Sequence, residues 1–392
     1  MSVITKILLL DPGMARLFGH NYAYNHAFGK AFRQEKLTVR YYFNNTLPQE
    51  LEEEFPDSSA CFNWFLFQEI ARVRDTPEYF QSSAKAFCSE LQSCVSPETG
   101  ADSLVFAHTL DPTALLGIAL WYCMQEEDKR PALSLSVMLG VDATRECRER
   151  LEASCALLRR MPRVRLFGGT RAVGDMLTDL MGQSCPMLPT PLPERPEQYN
   201  ANSQIGTFVF GLAGDWRPGK NLHIVPSVLA LYLKRGGLGN FVIQMTPTDE
   251  EIHPVALALH DLSLLYPEKI TLHIRYLGEE AYYANLASFS ALLLPYTASE
   301  YTRYRPSGLA IEAAAMAVPV VAAGGGFIEE ELARLNNGSL FVAKPTRELL
   351  VEGMFCFEQE WEKRKCLALR AAPAYCAHHD IRSWIRTMLS EG

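Results

Sequence analysis

Short apolar runs alternate along the chain with longer stretches of helical period. In the first half, strands are predicted at Lys6–Leu10, Leu37–Phe43, Leu104–His108, Leu133–Leu139 and Val164–Phe167. Helical spacing occupies segments between them, such as Asn21–Gln34 and Thr113–Gln125. The pattern restarts with strands predicted at Thr207–Gly211, Phe241–Gln244, Ile270–Tyr276, Ala291–Leu294, Val318–Ala322 and Leu340–Val342. Alternation of this kind implies an α/β protein with a parallel sheet covered on both faces, and its repetition implies two doubly wound domains. Residues 186–196 read PMLPTPLPERP, and five prolines in eleven residues predict a stiff extended connector. At the far end, Ile381, Trp384, Ile385, Met388 and Leu389 recur at the spacing of one buried helical stripe. The expected organisation is residues 1–188, a hinge at 189–196, a second domain at 197–376 and a terminal helix at 377–392. Open sheets of this class bind ligands beyond the carboxyl ends of their strands, so the two domains are expected to face each other across a cleft.

Composition narrows the function classes. The chain has 392 residues, 48% of them hydrophobic, and a formal net charge of −8. A polymer of nucleic acid is a poor match for that balance, although a local basic pocket for one phosphorylated molecule is compatible with it. No apolar run reaches the length of a membrane span. The apolar stretch Ile7–Leu10 is too short for the core of a signal peptide and reads as a first strand. Ten cysteines without a CxxC pair point to reduced thiols in a cytoplasmic protein rather than to zinc or disulfides. Seven arginines between Arg145 and Arg165 leave peripheral contact with an acidic lipid surface open. Interleaved Glu146, Glu149 and Glu152 favour a solvated face.

Four segments carry candidate chemistry. Gly214 to Lys220 spells G-x-x-x-x-G-K, but Asn221 follows where a P-loop needs a hydroxyl for magnesium. Arg217 and Lys220, three apart at a strand-to-helix turn, instead suit a diphosphate. In the second segment, Tyr304-Arg305-Pro306-Ser307-Gly308-Leu309, Ser307 is an N-cap and Gly308 opens a helix whose free N–H groups favour an anion. Glu312 lies one turn deeper on the same face, placed to accept hydrogen bonds from a vicinal diol. Third, the turn after the first strand holds Asp11-Pro12-Gly13 and Gly19-His20. It lacks the G-x-G-x-x-G of a dinucleotide site and reads as a flexible cleft-mouth loop that includes Gly13, Gly19 and His20. His108, ending a strand, is a candidate catalytic histidine. Fourth, Gly324-Gly325-Gly326 before Glu329 allows either close ligand approach or a sharp turn.

With these residues in place, the second half resembles the retaining family 4 glycosyltransferases of the GT-B fold. The likeness rests on Gly211 followed by Arg217-Pro218-Gly219-Lys220-Asn221. It rests also on Gly308-Leu309-Ala310-Ile311-Glu312-Ala313 running to Pro319-Val320-Val321, and on Gly325, Gly326 and Glu329. It covers roughly residues 205–345, and over the first half only the architecture matches. It implies two Rossmann-like domains, a nucleotide-sugar donor on the second and a glycan, lipid-linked or small-molecule acceptor mainly on the first. Arg217 and Lys220 would bind the diphosphate, with no metal or other cofactor. Gly214, Ser307, Gly308 and Leu309 would line the donor, and Glu312 would hold the ribose. The terminal helix would return to the first domain. The family has two glutamates separated by seven residues; Glu312 matches the second, and Tyr304 stands at the first. Glu300, Tyr301, Arg303 and Arg305 lie near enough to take over the sugar contact. The implied activity is glycosyl transfer with retention, a hexosyl-type transferase reaction. The alternatives are a non-catalytic protein binding a nucleotide sugar or glycan, and a sugar-nucleotide epimerase.

Overall fold

The computed structural model describes residues 3–15, 19–47, 49–63, 76–194, 208–216, 220–247, 253–297 and 302–390. The chain divides into two compact units. Unit 1 comprises Met1–Pro191 with Asp380–Gly392, and unit 2 comprises Leu192–His379.

Unit 1 alternates β1 (Lys6–Asp11), α1 (His20–Gln34), β2 (Thr38–Asn44), α2 (Gln49–Glu54), β3 (Ser58–Phe62) and α3 (Pro77–Cys94). It continues with β4 (Ser103–Leu110), α4 (Pro112–Cys123), β5 (Ala132–Val137), α5 (Arg145–Leu158), β6 (Val164–Gly168) and α6 (Arg171–Met181). The sheet order is β3-β2-β1-β4-β5-β6, with every pairing parallel. Every residue of the central strand β4 is buried, as expected for a strand covered on both faces. β3 carries SSACF at the sheet edge, too polar to announce itself as an apolar run. Asp111 caps α4 by accepting from the Ala114 N–H at 2.8 Å, and Pro112 pre-sets the first turn. The proline-rich segment begins beside β6, where the Leu188 N–H donates to the Gly168 carbonyl at 2.9 Å. Its residues 195–196 lie outside the described residues.

Unit 2 holds β7 (Val209–Leu212), β8 (Asp215–Trp216), α7 (Val225–Lys234), β9 (Asn240–Pro247), α8 (His253–Leu265), β10 (Ile270–Ile274), α9 (Glu279–Ala287) and β11 (Ala291–Leu294). After these come α10 (Gly308–Ala315), β12 (Val320–Ala323), α11 (Phe327–Ala333), β13 (Leu340–Val342), α12 (Arg347–Gln359) and α13 (Trp361–His378). The main sheet runs β10-β9-β7-β11-β12-β13, and β8 pairs with β9 off that path. All these pairings are parallel. The last helix, α14 (Ile381–Ser390), belongs to unit 1. Its Ile381, Ile385 and Met388 enter the same core as Phe28, Phe106 and Phe167, and Trp384 stacks edge-on to Phe167 at 5.1 Å.

Both sheets reverse direction once, between β1 and β4 and between β7 and β11. At such switch points, diverging connections leave a crevice at the carboxyl ends of the strands. The arginine-rich segment falls on α5 and beyond, where Arg145 pairs with Glu149 at 2.7 Å and Arg150 with Glu146 at 2.6 Å. Among the described residues, no helix is long and apolar enough to cross a membrane.

Candidate functional site

The switch point of unit 2 gathers most of the residues singled out in the second half. Gly211 lies in β7 against the Phe289 ring, only 2.0 Å from where a Cβ would stand. This close approach brings the segment before β11 hard against β7. Beyond β7, Gly214 turns with φ +95°, a conformation that suits glycine. Its N–H donates to Gln244 Oε1 at 2.9 Å. Gln244 is itself fixed by donating to Thr246 Oγ1 at 3.1 Å and to the Arg275 carbonyl at 2.9 Å.

Lys220 is 7% exposed. Its Nζ donates to the Asp215 carbonyl at 2.5 Å and sits 5.5 Å from the centre of the Tyr296 ring. A point at the Cβ position of Gly214 is 3.7 Å from Lys220 Nζ and 3.8 Å from Leu309 Cδ2. Gly214, Lys220 and Leu309 therefore meet around one spot. Arg217, the other expected diphosphate ligand, lies outside the described residues, as do Glu300 and Tyr301.

Asn221 has a different task. In the left-handed region at φ 57°, its Nδ2 donates to the carbonyls of Pro295 at 2.9 Å and Pro345 at 3.2 Å. The amide thus joins the turn after β7 to the loops after β11 and β13. This is tethering, not the hydroxyl ligation of magnesium that a P-loop requires.

Ser307 caps α10, its hydroxyl accepting from the Ala310 N–H at 3.4 Å. The first turn of α10, at Gly308 and Leu309, presents N–H groups that no preceding helical carbonyl can satisfy. One turn on, Glu312 Oε2 accepts a hydrogen bond of 2.8 Å from the Tyr282 hydroxyl on α9. Burial pushes the Glu312 carboxyl up to about 7, and Glu279 adds to the rise while the Tyr282 bond opposes it. A protein interior destabilises the charged form, so this carboxylate gains from any further donor.

Tyr304 and Arg305 are half-buried in the turn before α10. The Tyr304 N–H donates to Thr302 Oγ1 at 3.3 Å, and the Arg305 N–H to the Thr302 carbonyl at 3.1 Å. Arg303 pairs with Glu330 at 3.2 Å. At the triple glycine, Glu329 folds back to accept from the Gly325 N–H at 2.7 Å.

Unit 1 has its own polar network at the β1/β4 switch point. Asp11 is wholly buried and accepts from Asn21 Nδ2 at 2.7 Å, Asn25 Nδ2 at 2.6 Å and the Gly13 N–H at 2.9 Å. Burial raises it to about 6 against these donors. His108 is also 0% exposed. Its Nδ1 lies 2.8 Å from Thr109 Oγ1 and its Nε2 3.1 Å from Asn25 Oδ1. Since the Asn25 amide nitrogen already serves Asp11, Oδ1 accepts and His108 carries its proton on Nε2. His108 Nδ1 then accepts from the Thr109 hydroxyl, which in turn accepts from His20 Nε2 at 2.9 Å. Burial pushes His108 well below its ordinary pKa, and the His20 charge acts in the same direction. As placed, His108 is wholly buried and its ring nitrogens meet Thr109 and Asn25. The exposed imidazole is His20, at the start of α1 after Gly19.

Sequence reasoning missed Tyr282, Gln244, Tyr296 and Thr109. Of these, Thr109 was signalled by standing next to His108 at the end of a strand. Away from both switch points, Glu331, His378 and His379 bring ligand-type atoms within 4.8 Å of one another, with Glu331 paired to Arg334 at 2.8 Å.

The whole chain is similar to solved structures of the GT-B fold. One is HepE from Anabaena in complex with UDP, 16% identical over 99% of this chain and 100% of that one, with a TM-score of 0.67. Another is sucrose-phosphate synthase from Thermosynechococcus elongatus, 14% identical over 99% and 98%, TM-score 0.67. A third is a putative UDP-N-acetylglucosamine 2-epimerase from Listeria monocytogenes, 12% identical over 100% and 98%, TM-score 0.60. The chain has the GT-B fold. No family model matches it, and no curated protein sequence matches it. At these identities the likeness carries the fold alone.

Proposed function

We propose that this chain is a glycosyltransferase whose unit 2 binds a nucleotide-activated sugar. The observation that carries the reading is the convergence at one switch point of a buried ammonium, a capped helix N-terminus and a half-buried carboxylate. Lys220 and the first turn of α10 suit the two phosphates, and Glu312 suits a ribose diol. The UDP complex of HepE, on the same fold, supports a nucleoside diphosphate as the ligand class.

In the proposed reaction, the glycosidic bond to the leaving diphosphate breaks while charge grows on the phosphate oxygens. Lys220, Arg217 and the helix N-terminus stabilise that charge, which is catalysis by fixed electrostatics. An acceptor hydroxyl forms the new bond with retention, its proton passing to a donor phosphate oxygen. No metal is required, because cations of the chain fill that role. The acceptor, a glycan, lipid-linked or small-molecule alcohol, is assigned to unit 1, on the side of Gly13, Gly19 and His20, of which Gly19 and His20 are exposed and Gly13 is buried beside Asp11. Cytoplasmic residence, with at most peripheral membrane contact, accompanies this reading.

Tyr304 in place of a glutamate favours a second reading, a protein that binds a nucleotide sugar without transferring it. The epimerase on the same fold is the enzymatic alternative. The experiment replaces Lys220 and Glu312 by alanine separately and measures nucleotide-sugar binding and turnover with and without acceptors. Each change is expected to weaken binding by about tenfold or more. Unchanged binding and transfer in both variants overturns the site. Turnover that needs no acceptor assigns the epimerase instead.

A further inference from the structure

We infer that Tyr282 is the positioning residue for Glu312 and thereby sets the preference for ribose over deoxyribose in the bound nucleotide. The inference rests on the donor-site reading above and goes beyond it, since Tyr282 belongs to no motif of that site. It stands on α9, and its hydroxyl reaches across to Glu312 Oε2 on α10 at 2.8 Å. A glutamate has three side-chain torsions, and ordering them on binding costs entropy. A donor fixed on one carboxylate oxygen holds the plane in advance and leaves Oε1 and the remaining lone pairs for the ligand.

The surroundings make that one bond matter. Glu279 on α9 raises the Glu312 carboxyl, and Tyr282 is the group that lowers it. Burial first, then Glu312, with smaller contributions from Tyr283 and Tyr296, holds the Tyr282 proton on well above the ordinary phenol range. Tyr282 is therefore a donor at any neutral pH. Tyr296 also meets Lys220, so the same aromatic cluster lies beside both the carboxylate and the ammonium. With Tyr282 in place, Glu312 is ionised over more of the neutral range and accepts from the ribose hydroxyls. Without it, the carboxyl is protonated more readily and turns more freely. A 2′-deoxy ligand offers one hydroxyl fewer and gains less from the fixed carboxylate.

The test uses the full-length chain and whichever of UDP-, GDP- and ADP-glucose raises its melting temperature most. These diphosphate diesters carry no proton that titrates near neutrality, so a pH dependence belongs to the protein. Affinity is measured by calorimetry from pH 5.5 to 8.5. Wild type is expected to bind more tightly as pH rises, because the ligand favours the ionised carboxylate, and E312Q is expected to lose that rise. In Y282F the midpoint should move to higher pH. Binding at pH 7 should weaken by about three- to tenfold, as for one hydrogen bond to a charged group. The ratio of affinities for the ribo- and 2′-deoxyribonucleoside diphosphate of the same base should fall. Tyr282→His, which keeps a ring donor, should restore part of the ratio, and it replaces Y282F if that variant fails to fold.

An unchanged midpoint and ratio in the Tyr282 variants overturns the inference, even where E312Q has lost affinity. Equal weakening of ribo- and deoxyribo-ligands overturns it too, because a purely structural role does that. If wild type binds none of the probes, the donor-site reading falls and takes this inference with it.

Discussion

Glu312 illustrates how a residue placed at a switch point trades stability for a poised charge. The Glu312 carboxyl rises from an ordinary 4.5 to about 7 in the fold. Its contribution to stability is therefore complete below pH 4.5 and is lost as pH rises through 7. E312Q is accordingly expected to gain stability relative to wild type between those limits and to hold that gain above pH 7, in denaturant melts run across pH. The same variant should bind nucleotide sugars more weakly, so stability and function move in opposite directions. Asp11 differs, because three donors converge on its carboxylate. Asp11→Ala strands the Asn21 and Asn25 amides in a buried site, and a loss of about 2–4 kcal/mol is expected in denaturant melts. Motif spacing made Gly214, Lys220, Ser307 and Glu312 visible in the sequence, because each belongs to one turn or one helical face. Tyr282 was not visible: it reaches Glu312 from 30 residues away, and neither Tyr282 nor Tyr283 fits a local pattern. His108 was visible as the end of a strand, but its burial under α1 was not.

Individual strands and helices give the switch points their shape. Gly211 admits the Phe289 ring against β7, so Gly211→Ala overpacks that contact and is expected to cost about 1–3 kcal/mol by thermal melting. Phe289→Leu should recover part of the loss, since a smaller side chain frees the contested volume. α14 supplies the other case. Ile385 is 0% exposed in the core of unit 1, and Ile385→Ala is expected to cost about 2–5 kcal/mol. Hydrogen exchange should show faster opening in α1 and β4, with the strands of unit 2 unchanged. The stripe on α14 was legible because its period is unbroken over three turns. β3 and β8 were not, since a polar edge strand and a two-residue strand leave no apolar run to detect.

At the level of the molecule, two sheets share one strand order although their sequences have little in common. Alternation of strand and helix over each half was enough to foresee two parallel α/β units. It could not foresee which loops carry chemistry, because that depends on where each sheet reverses. The net charge of −8 belongs to the whole chain, whereas the proposed chemistry turns on the buried Lys220 ammonium with Arg217 and a neighbouring helix end. Nucleotide binding should therefore depend weakly on salt for a charged ligand, since buried pairs are screened less than exposed ones. The most direct measurement is a crystal structure of the full chain soaked with the nucleoside diphosphate that stabilises it best. The account predicts phosphates against Lys220 and the first turn of α10, with the ribose hydroxyls on Glu312. A nucleotide bound elsewhere, or none at millimolar concentration, would contradict it.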